Sequence, residues 1–165
     1  MPNWCENDLR IKTPDTAWLD GLEECLKSEK GILNYIRPNP SGEWSYDWSV
    51  TNWGTKWDAT AHNWERTDKD EIVINFDSAW SPPLIALEHL LDEVSKTNYA
   101  DFFTLELHYY EPGMGFVGYF DNGIDEYYDV DPKNLDAIPE WLRDHYNLDE
   151  YFADFEDEGE DDDQA

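Results

Sequence analysis

The chain has 165 residues, of which 40% are hydrophobic and 16% aromatic, enough for one packed domain with an appendage. It contains 39 acidic residues against 11 Lys and Arg, a formal net charge of −28. The last 45 residues hold 18 of the acids and two of the bases. A field of this sign repels phosphate groups, so the composition argues against direct binding to nucleic acid or to an anionic membrane.

Cysteine and histidine placement gives no sign of a metal or cofactor site. Cys5 and Cys25 form neither a Cys-x-x-Cys pair nor a zinc spacing, and the four histidines are scattered. The sequence shows no Gly-x-Ser-x-Gly motif, no signal-peptide pattern and no apolar run of 18 residues. We therefore expect a cytoplasmic protein that is not an enzyme, with two reduced thiols in its core and no cofactor.

The first elements are a strand and a helix. From Cys5 to Ile11 apolar and polar residues alternate, which predicts a strand with one buried face. Thr13 and Pro14 are typical of a helix start, and apolar residues then recur at helical spacing until Gly31. We expect this helix to pack on the sheet.

The middle of the chain is rich in tryptophan, with six of the nine between residues 44 and 80. The alternation at Trp44, Tyr46 and Trp48 predicts a short strand, and residues 52–55 are typical of a turn. Residues 72–76 alternate again as a strand that ends at Trp80. Ser81 and the prolines after it predict the start of a second helix, which ends near residue 97.

The later pattern predicts a three-stranded meander. Residues 103–109 alternate into a Pro-Gly turn, residues 116–120 return, and Asn122-Gly123 is a strong signal for a two-residue hairpin before residues 124–130. A helix is predicted from Pro139, followed by an apolar stripe on an acidic segment.

The order of these elements predicts an α+β fold, a ferredoxin-like antiparallel sheet with helices on one face, plus a C-terminal acidic helical extension. We assign the ferredoxin-like domain to residues 1–130, the acidic helical extension to residues 131–156, and a disordered acidic tail to residues 157–165.

Three blocks of the sequence resemble the YubB ferredoxin-like family of small phage and conjugative-plasmid proteins. They are Met-Pro-Asn-Trp-Cys-Glu-Asn-Asp-Leu-Arg-Ile at the start, Val-Thr-Asn-Trp-Gly-Thr-Lys-Trp-Asp at residues 50–58, and Phe-Asp-Ser-Ala-Trp-Ser-Pro-Pro at residues 76–83. The resemblance covers roughly residues 1–130. It implies a ferredoxin-like fold and a mobile-element protein acting inside a bacterium, and it carries no site residues.

Acidic side chains on the predicted hairpin and helix are the first candidate site. Carboxylates held at spacings like those of phosphates can imitate nucleic acid and occupy a basic groove on another protein. The apolar stripe that follows can dock on its own domain or enter a partner's groove. The predicted partner-binding residues are Asp121, Asp125, Glu126, Asp129, Asp136, Glu140, Asp144, Tyr151, Phe152 and Phe155.

The tryptophan-rich stretch is the alternative site. Aromatic rings can stack a base or a sugar while amides read its edges, and the same rings can instead brace an irregular loop through indole N–H bonds to Asp and Asn. The candidate ligand-binding residues are Trp48, Asn52, Trp53, Lys56, Trp57 and Trp80.

Together these features predict an acidic interaction protein that acts as an inhibitor. The expected partner is a basic, nucleic-acid-binding host defence or regulatory protein, approached by mimicry of DNA charge. A small-ligand or nucleotide-binding module that uses the tryptophan-rich stretch is the alternative. Pairing of two copies through a sheet edge is possible in this fold, and nothing in the sequence requires it.

Overall fold

A computed structural model describes residues 3–160 of the chain, with side chains described for residues 3–154. Its strands are β1 Trp4–Lys12, β2 Ala61–Asp68, β3 Glu71–Ala79, β4 Thr104–Glu111, β5 Phe116–Asp121 and β6 Ile124–Asp129. They form one sheet in the order β2-β3-β1-β4-β5-β6, and neighbouring strands are antiparallel throughout.

Six helices accompany the sheet. They are α1 Thr16–Lys27, α2 Ile32–Ile36, α3 Tyr46–Trp53, α4 Leu84–Ser95, α5 Glu140–His145 and α6 Leu148–Glu160, with single 3-10 turns at Ala100–Phe102 and Leu135–Ala137. The predicted α+β, ferredoxin-like architecture is confirmed.

The main core lies between one face of the sheet and helices α1, α2 and α4. Alternate residues of the central strands, such as Leu9, Ile74 and Leu107, are fully buried there against Leu22 and Leu87 of the helices. The period of two along the strands and the helical period in α1 and α4 meet at this interface, so the sequence pattern and the packing agree.

Helix α5 packs on the opposite face of the sheet. Ile138, Leu142 and Leu148 are buried against Tyr110 and Val117, which point away from the main core. This smaller cluster joins the first part of the predicted helical extension to β4 and β5, so the acidic residues of α5 are held on a packed element.

The predicted strand at Trp44, Tyr46 and Trp48 is wrong, because this segment leads into helix α3. Ser45 caps the helix by accepting a hydrogen bond from the Trp48 N–H, and Gly54 ends it at φ 83°. The predicted turn at residues 52–55 is the C-terminal end of the same helix. Only glycine adopts this left-handed conformation at little cost, which fixes the helix end here.

Other details also differ from the pattern. Asp15, and not Thr13, caps α1 by accepting from the Trp18 N–H at 3.0 Å. Strand β2 and helix α2 were not predicted. Cys5 and Cys25 are both buried and free, as expected for reduced core thiols.

The acidic tail is only partly described. Residues 155–160 continue the backbone of α6, whereas residues 161–165 of the predicted tail lie outside the described residues. Among the helices that the structure describes, none is long and apolar enough to cross a membrane.

Candidate interaction surface

The predicted acidic residues lie at the surface of the β5–β6 hairpin and of α5. The side chains of Asp121, Asp125, Glu126, Asp129, Asp136, Glu140 and Asp144 are all exposed. Because β5 and β6 belong to the sheet and α5 packs on it, these carboxylates are held on regular backbone. They cover the β6 edge of the sheet and the outside of α5.

Few of these carboxylates have a cation beside them. Residues 121–154 contain eleven acids, and among the described side chains only Asp136 and Asp149 reach a cation, each 3.7 Å from Arg143. Acids elsewhere are more often compensated. On α1 and α4, for example, Lys27 and Lys96 each bridge two neighbouring carboxylates. The structure therefore concentrates uncompensated negative charge at one end of the sheet and on α5.

Strand β6 divides its acids between the two faces of the sheet. Asp125 and Asp129 pair in register with Phe120 and Phe116, whose rings belong to the main core. Glu126 pairs with Tyr119 on the face that α5 covers. Side chains alternate along a strand, so the predicted acidic set is two surfaces that share one edge.

An apolar groove lies beside β6 on the main-core face. It has a volume of about 440 Å³, and its walls are mostly carbon. Its floor and rim include Trp80, Ile85, Met114, Phe116, Tyr127 and Asp125. One residue of each predicted site, Trp80 and Asp125, is therefore found in the same groove.

Asp125 is fixed at the end of this groove by a tyrosine of β4. The Tyr109 hydroxyl donates to Asp125 Oδ1 at 2.6 Å. Burial, followed by the nearby Asp125 carboxylate, raises the pKa of Tyr109, so the phenol keeps its proton and remains a donor. The bond leaves Asp125 with acceptor capacity facing solvent.

The six candidate residues of the tryptophan-rich stretch do not line one pocket: Trp53 borders a cleft of about 950 Å³ with Trp44 and Tyr35, whereas Trp80 lines the groove beside β6. Trp53 is only 4% exposed, stands edge-on to Trp48 at 5.2 Å, and donates its indole N–H to the Arg37 carbonyl at 2.9 Å. Asn52 donates to the Trp48 carbonyl at 2.9 Å. These three residues brace α3 against the loop before it.

The remaining candidates of that stretch lie elsewhere. Lys56 Nζ sits 4.4 Å from the centre of the Trp57 ring, which packs near Trp4 at 6.1 Å. Trp44 donates its indole N–H to the Lys56 carbonyl at 3.0 Å. The indole bonds of Trp44 and Trp53 thus go to backbone carbonyls, whereas the bracing alternative assigned them to Asp and Asn.

A polar cluster joins α5 to the centre of the sheet. Asp8 Oδ2 lies 2.5 Å from His145 Nε2 and accepts from the Tyr146 hydroxyl at 3.4 Å, while Asp8 Oδ1 accepts from the Asn75 amide. The His145 ring also stands edge-on to His108 at 5.3 Å. These contacts fix the orientation of α5 and so position its outward carboxylates.

His108 makes the fold sensitive to acid. Burial, followed by the charge of His145, lowers the pKa of His108 from its ordinary value of 6.5. The folded state therefore disfavours protonated His108. The contribution of His108 to stability is complete above pH about 6.5 and is lost as the pH falls from there through the folded-state pKa.

We expect the wild type to lose more unfolding free energy than His108→Gln between pH 7 and pH 5. The difference between the two denaturant-unfolding curves isolates this histidine from the carboxylates, whose titration is common to both proteins. Parallel pH profiles would contradict the assignment.

The predicted apolar stripe on α6 is described only in part. Tyr151 is 46% exposed and stands edge-on to the half-buried Phe152 at 5.2 Å. Leu148 is fully buried under the sheet. The stripe thus begins by docking on its own domain, and the side chain of Phe155 lies outside the described residues.

No group of three or more His, Cys, Asp or Glu side chains within the described part of the chain could hold a metal ion. The two histidines near Asp8 instead pack against aromatic rings, with His108 5.0 Å from Trp141. The ring of His145 lies 4.6 Å from Tyr146, so the closest ring contact of each histidine is an aromatic side chain of α5 or its C-terminal end, which suits docking of α5.

A family model described as "Ferredoxin-like domain in Api92-like protein" matches residues 53–150, more than half of the chain. The chain belongs to this family. The matched span runs from the end of α3 into the first turn of α6, so it includes the β6 edge, the groove beside it, and α5.

Membership in the Api92-like ferredoxin-like domain family agrees with the observed sheet. The chain is also similar to the crystal structure of a protein Api92 from Yersinia pseudotuberculosis, with a TM-score of 0.51 and 13% sequence identity. The similarity covers 80% of this chain and 100% of that one. At this identity it shows a shared fold alone. A search of curated proteins found no match.

The sequence predicted neither the groove beside β6 nor the polar cluster around Asp8. The groove unites residues from the end of α3 to β6 that lie up to 73 positions apart, so no local pattern signals it. The Asp8 cluster unites both ends of the chain. The one available signal was Asp8 itself, a carboxylate in the middle of a strand whose neighbours are buried.

Proposed function

We propose that this protein is a non-enzymatic acidic interaction protein that inhibits a host nucleic-acid-binding protein. In this proposal, the carboxylates of residues 121–154 occupy the basic groove of the partner in place of DNA or RNA. The observation that carries the proposal is the concentration of eleven exposed acids on ordered elements with Arg143 as the only cation within 4.0 Å of any described carboxylate among them.

The energetic cost of this arrangement supports a role in recognition. Glu140 and Asp144 lie four residues apart on α5, where like charges on neighbouring turns destabilise a helix by about 0.2–0.5 kcal/mol. Glu106 and Asp121 are directly opposed on β4 and β5, which is also unfavourable. A basic partner would relieve both repulsions on binding, so the surface gains energy from complex formation.

The biological setting is also part of the proposal. The resemblance to the YubB family supports a phage or plasmid origin and action in the bacterial cytoplasm. A mobile element benefits from an inhibitor of host defence. A surface that mimics DNA charge can bind an enzyme whose basic groove binds nucleic acid. We infer an anti-defence or anti-regulatory role on this basis.

The test is a charge-neutralised variant with Asp121→Asn, Glu126→Gln, Glu140→Gln and Asp144→Asn. Immobilised wild-type protein should capture a nucleic-acid-binding protein from bacterial lysate at low salt, release it at high salt, and displace labelled DNA from it. We expect the variant to bind the identified partner about tenfold more weakly, since four exposed ion pairs contribute about 0.2–1 kcal/mol each.

A matched variant separates local recognition from total charge. Glu29→Gln, Glu43→Gln, Glu65→Gln and Asp101→Asn remove the same four charges from exposed acids that lie away from β6 and α5 and have no ion pair among the described residues. This control should retain wild-type affinity. Equal weakening by both variants, or a partner whose binding does not respond to salt, would overturn the proposal.

The small-ligand alternative receives less support from the geometry. Trp48, Asn52 and Trp53 brace α3, Lys56 and Trp57 lie near Trp4, and Trp80 lines the groove beside β6. A stacking site needs several of these rings around one volume, and of the candidate rings only Trp53 borders the cleft of about 950 Å³ near Trp44 and Tyr35, while Trp80 lines a different groove.

A further inference from the structure

The two edges of the sheet differ in how they are protected. The β2 edge is interrupted twice, by register shifts between Ala61 and Asn63 and between Arg66 and Asp68. Bulges and an edge arginine are common devices against the addition of another strand. Strand β6 instead pairs with β5 in unbroken register over its six residues and contains no cation and no proline. Its outer edge is therefore suited to accept a strand.

The hydrogen-bonding direction along β6 identifies the available backbone groups. The two-residue turn at Asn122 and Gly123 closes on Ile124, and Val130 donates its N–H to Gly115 on the β5 side. Alternate residues between these two points face β5, so the N–H and C=O groups of Asp125, Tyr127 and Asp129 face outward. Their side chains lie on the face that carries the groove.

Part of this edge is already covered. Asn134 donates its side-chain amide to the outward carbonyl of Asp129 at 2.8 Å. Among the described residues no strand pairs with the outer edge of β6. The outward groups of Asp125 and Tyr127 are thus placed to bond an added chain.

The groove beside this edge exposes large apolar side chains. Trp80, Met114 and Tyr127 are 45%, 58% and 54% exposed. Trp80 adopts φ 71°, a left-handed conformation that is costly for a bulky side chain, and its N–H is held by the Asn3 carbonyl at 2.9 Å. Its indole is therefore presented at the rim of the groove on a backbone that the fold constrains.

We propose that an extended basic segment of the partner adds as a seventh strand along β6. Its backbone bonds the outward groups of Asp125 and Tyr127, a bulky apolar side chain enters the groove, and flanking Lys or Arg side chains meet Asp125 and Asp129. The inference rests on the proposed function, to which it adds the binding mode and the chemistry of the bound segment.

Charge selects this occupant over a second copy of the chain. Pairing β6 with β6 of another molecule would oppose two sets of Asp125, Glu126 and Asp129, and like charges across strands are destabilising. A basic segment meets the same three carboxylates with attraction. The apolar groove adds the hydrophobic contribution that charge alone does not provide.

The probe is a fluorescein-labelled nine-residue peptide, Lys-Thr-Arg-Val-Phe-Val-Lys-Thr-Arg, measured by anisotropy with the full chain. A series of peptides, each N-methylated at one position, then tests which peptide N–H groups bond to β6, because N-methylation removes the donor. We expect binding to fall at least about tenfold at alternate positions and to change little at the positions between them. Amide exchange of Asp125 and Tyr127 should slow when the peptide is bound.

Two matched variants of β6 test the groove. Tyr127 and Ile124 are both exposed apolar residues of this strand, and their side chains lie on opposite faces of the sheet. Tyr127→Ser should weaken peptide binding at least about tenfold, whereas Ile124→Ser should leave it within about twofold. Replacing the central Phe of the peptide by Ser should reproduce the loss.

The outcomes separate this inference from the proposed function. Uniform effects of N-methylation, equal effects of the two serine variants, or self-association of the chain through β6 would overturn strand addition. If the peptide fails while the four-acid variant still weakens capture of the lysate partner, the inference falls and the proposed function stands. If peptide binding follows the predicted pattern while the four-acid variant captures its partner normally, the edge is a peptide site and charge mimicry falls.

Discussion

Gly118→Ala should be among the most destabilising single methyl additions in this chain. A Cβ atom at Gly118 would lie 2.3 Å from the Tyr109 hydroxyl oxygen and 2.4 Å from the Glu126 carbonyl oxygen. The second of these is backbone of the neighbouring strand, so β6 must move away from β5. We expect a loss of about 3 kcal/mol in unfolding free energy, at the upper end for overpacking, and a melting temperature lower by roughly 6–12 °C.

The same displacement should reach the groove. Tyr109 would be pushed from its bond to Asp125, and the outward groups of β6 would lose their alignment with an added strand. Binding of the nine-residue peptide should therefore fall together with stability. Thermal unfolding and anisotropy on one preparation measure both effects.

Gly42→Ala is the matched control. Unlike Gly118, Gly42 has a left-handed backbone, at φ 71°, and no described atom lies within 4 Å of an added Cβ. Its cost should be limited to conformational strain of about 1–2 kcal/mol, with peptide binding unchanged. If Gly118→Ala were no more destabilising than Gly42→Ala, the close packing of β5, β6 and Tyr109 would be wrong.

Strands whose one face is buried could be predicted from the sequence. In β1, β3 and β4, alternate residues contact the helices, so the apolar pattern is a direct record of burial. The hairpin at Asn122 and Gly123 was equally accessible, because both residues adopt positive φ values that Asn and Gly tolerate. Local chemistry and tertiary packing agree at these positions.

Segments whose conformation depends on distant contacts could not be predicted in the same way. Strand β2 has no fully buried residue and two register shifts, so it lacks an alternating pattern. Trp44, Tyr46 and Trp48 do alternate, yet the capping of α3 by Ser45 and Gly54 and the burial of Trp53 favour a helix. Here the caps and one tertiary contact outweigh the pattern.

Part of the candidate site could likewise be predicted from the sequence, and part depended on the tertiary structure. Exposure of the acids followed from composition, because charged side chains are seldom buried without partners. Their separation into two faces at Asp125 and Glu126 followed only once the register of β6 was known. The groove depends on Trp80 and Tyr127 meeting across the fold, which no window of sequence contains.

Leu142→Ala should separate α5 from the sheet more than it destabilises the sheet itself. Leu142 is fully buried with Ile138 and Leu148 against Tyr110 and Val117. Truncation to Ala leaves a cavity and costs about 2–5 kcal/mol at buried leucines. Because the cluster is small and lies apart from the main core, we expect amide exchange to accelerate in α5 first.

This loss should also weaken recognition of the basic partner. The carboxylates of Glu140 and Asp144 contribute to binding because the packed helix holds them in position. An undocked α5 would lose conformational entropy on binding, and this loss weakens the affinity. Affinity for the identified partner should fall even though no charge has changed. Asp144→Ala, an exposed substitution on the same helix, is the stability control and should leave α5 exchange near the wild-type rate. Unchanged exchange in α5 of the Leu142→Ala protein would show that the Asp8, His145 and Tyr146 contacts alone are enough to hold the helix.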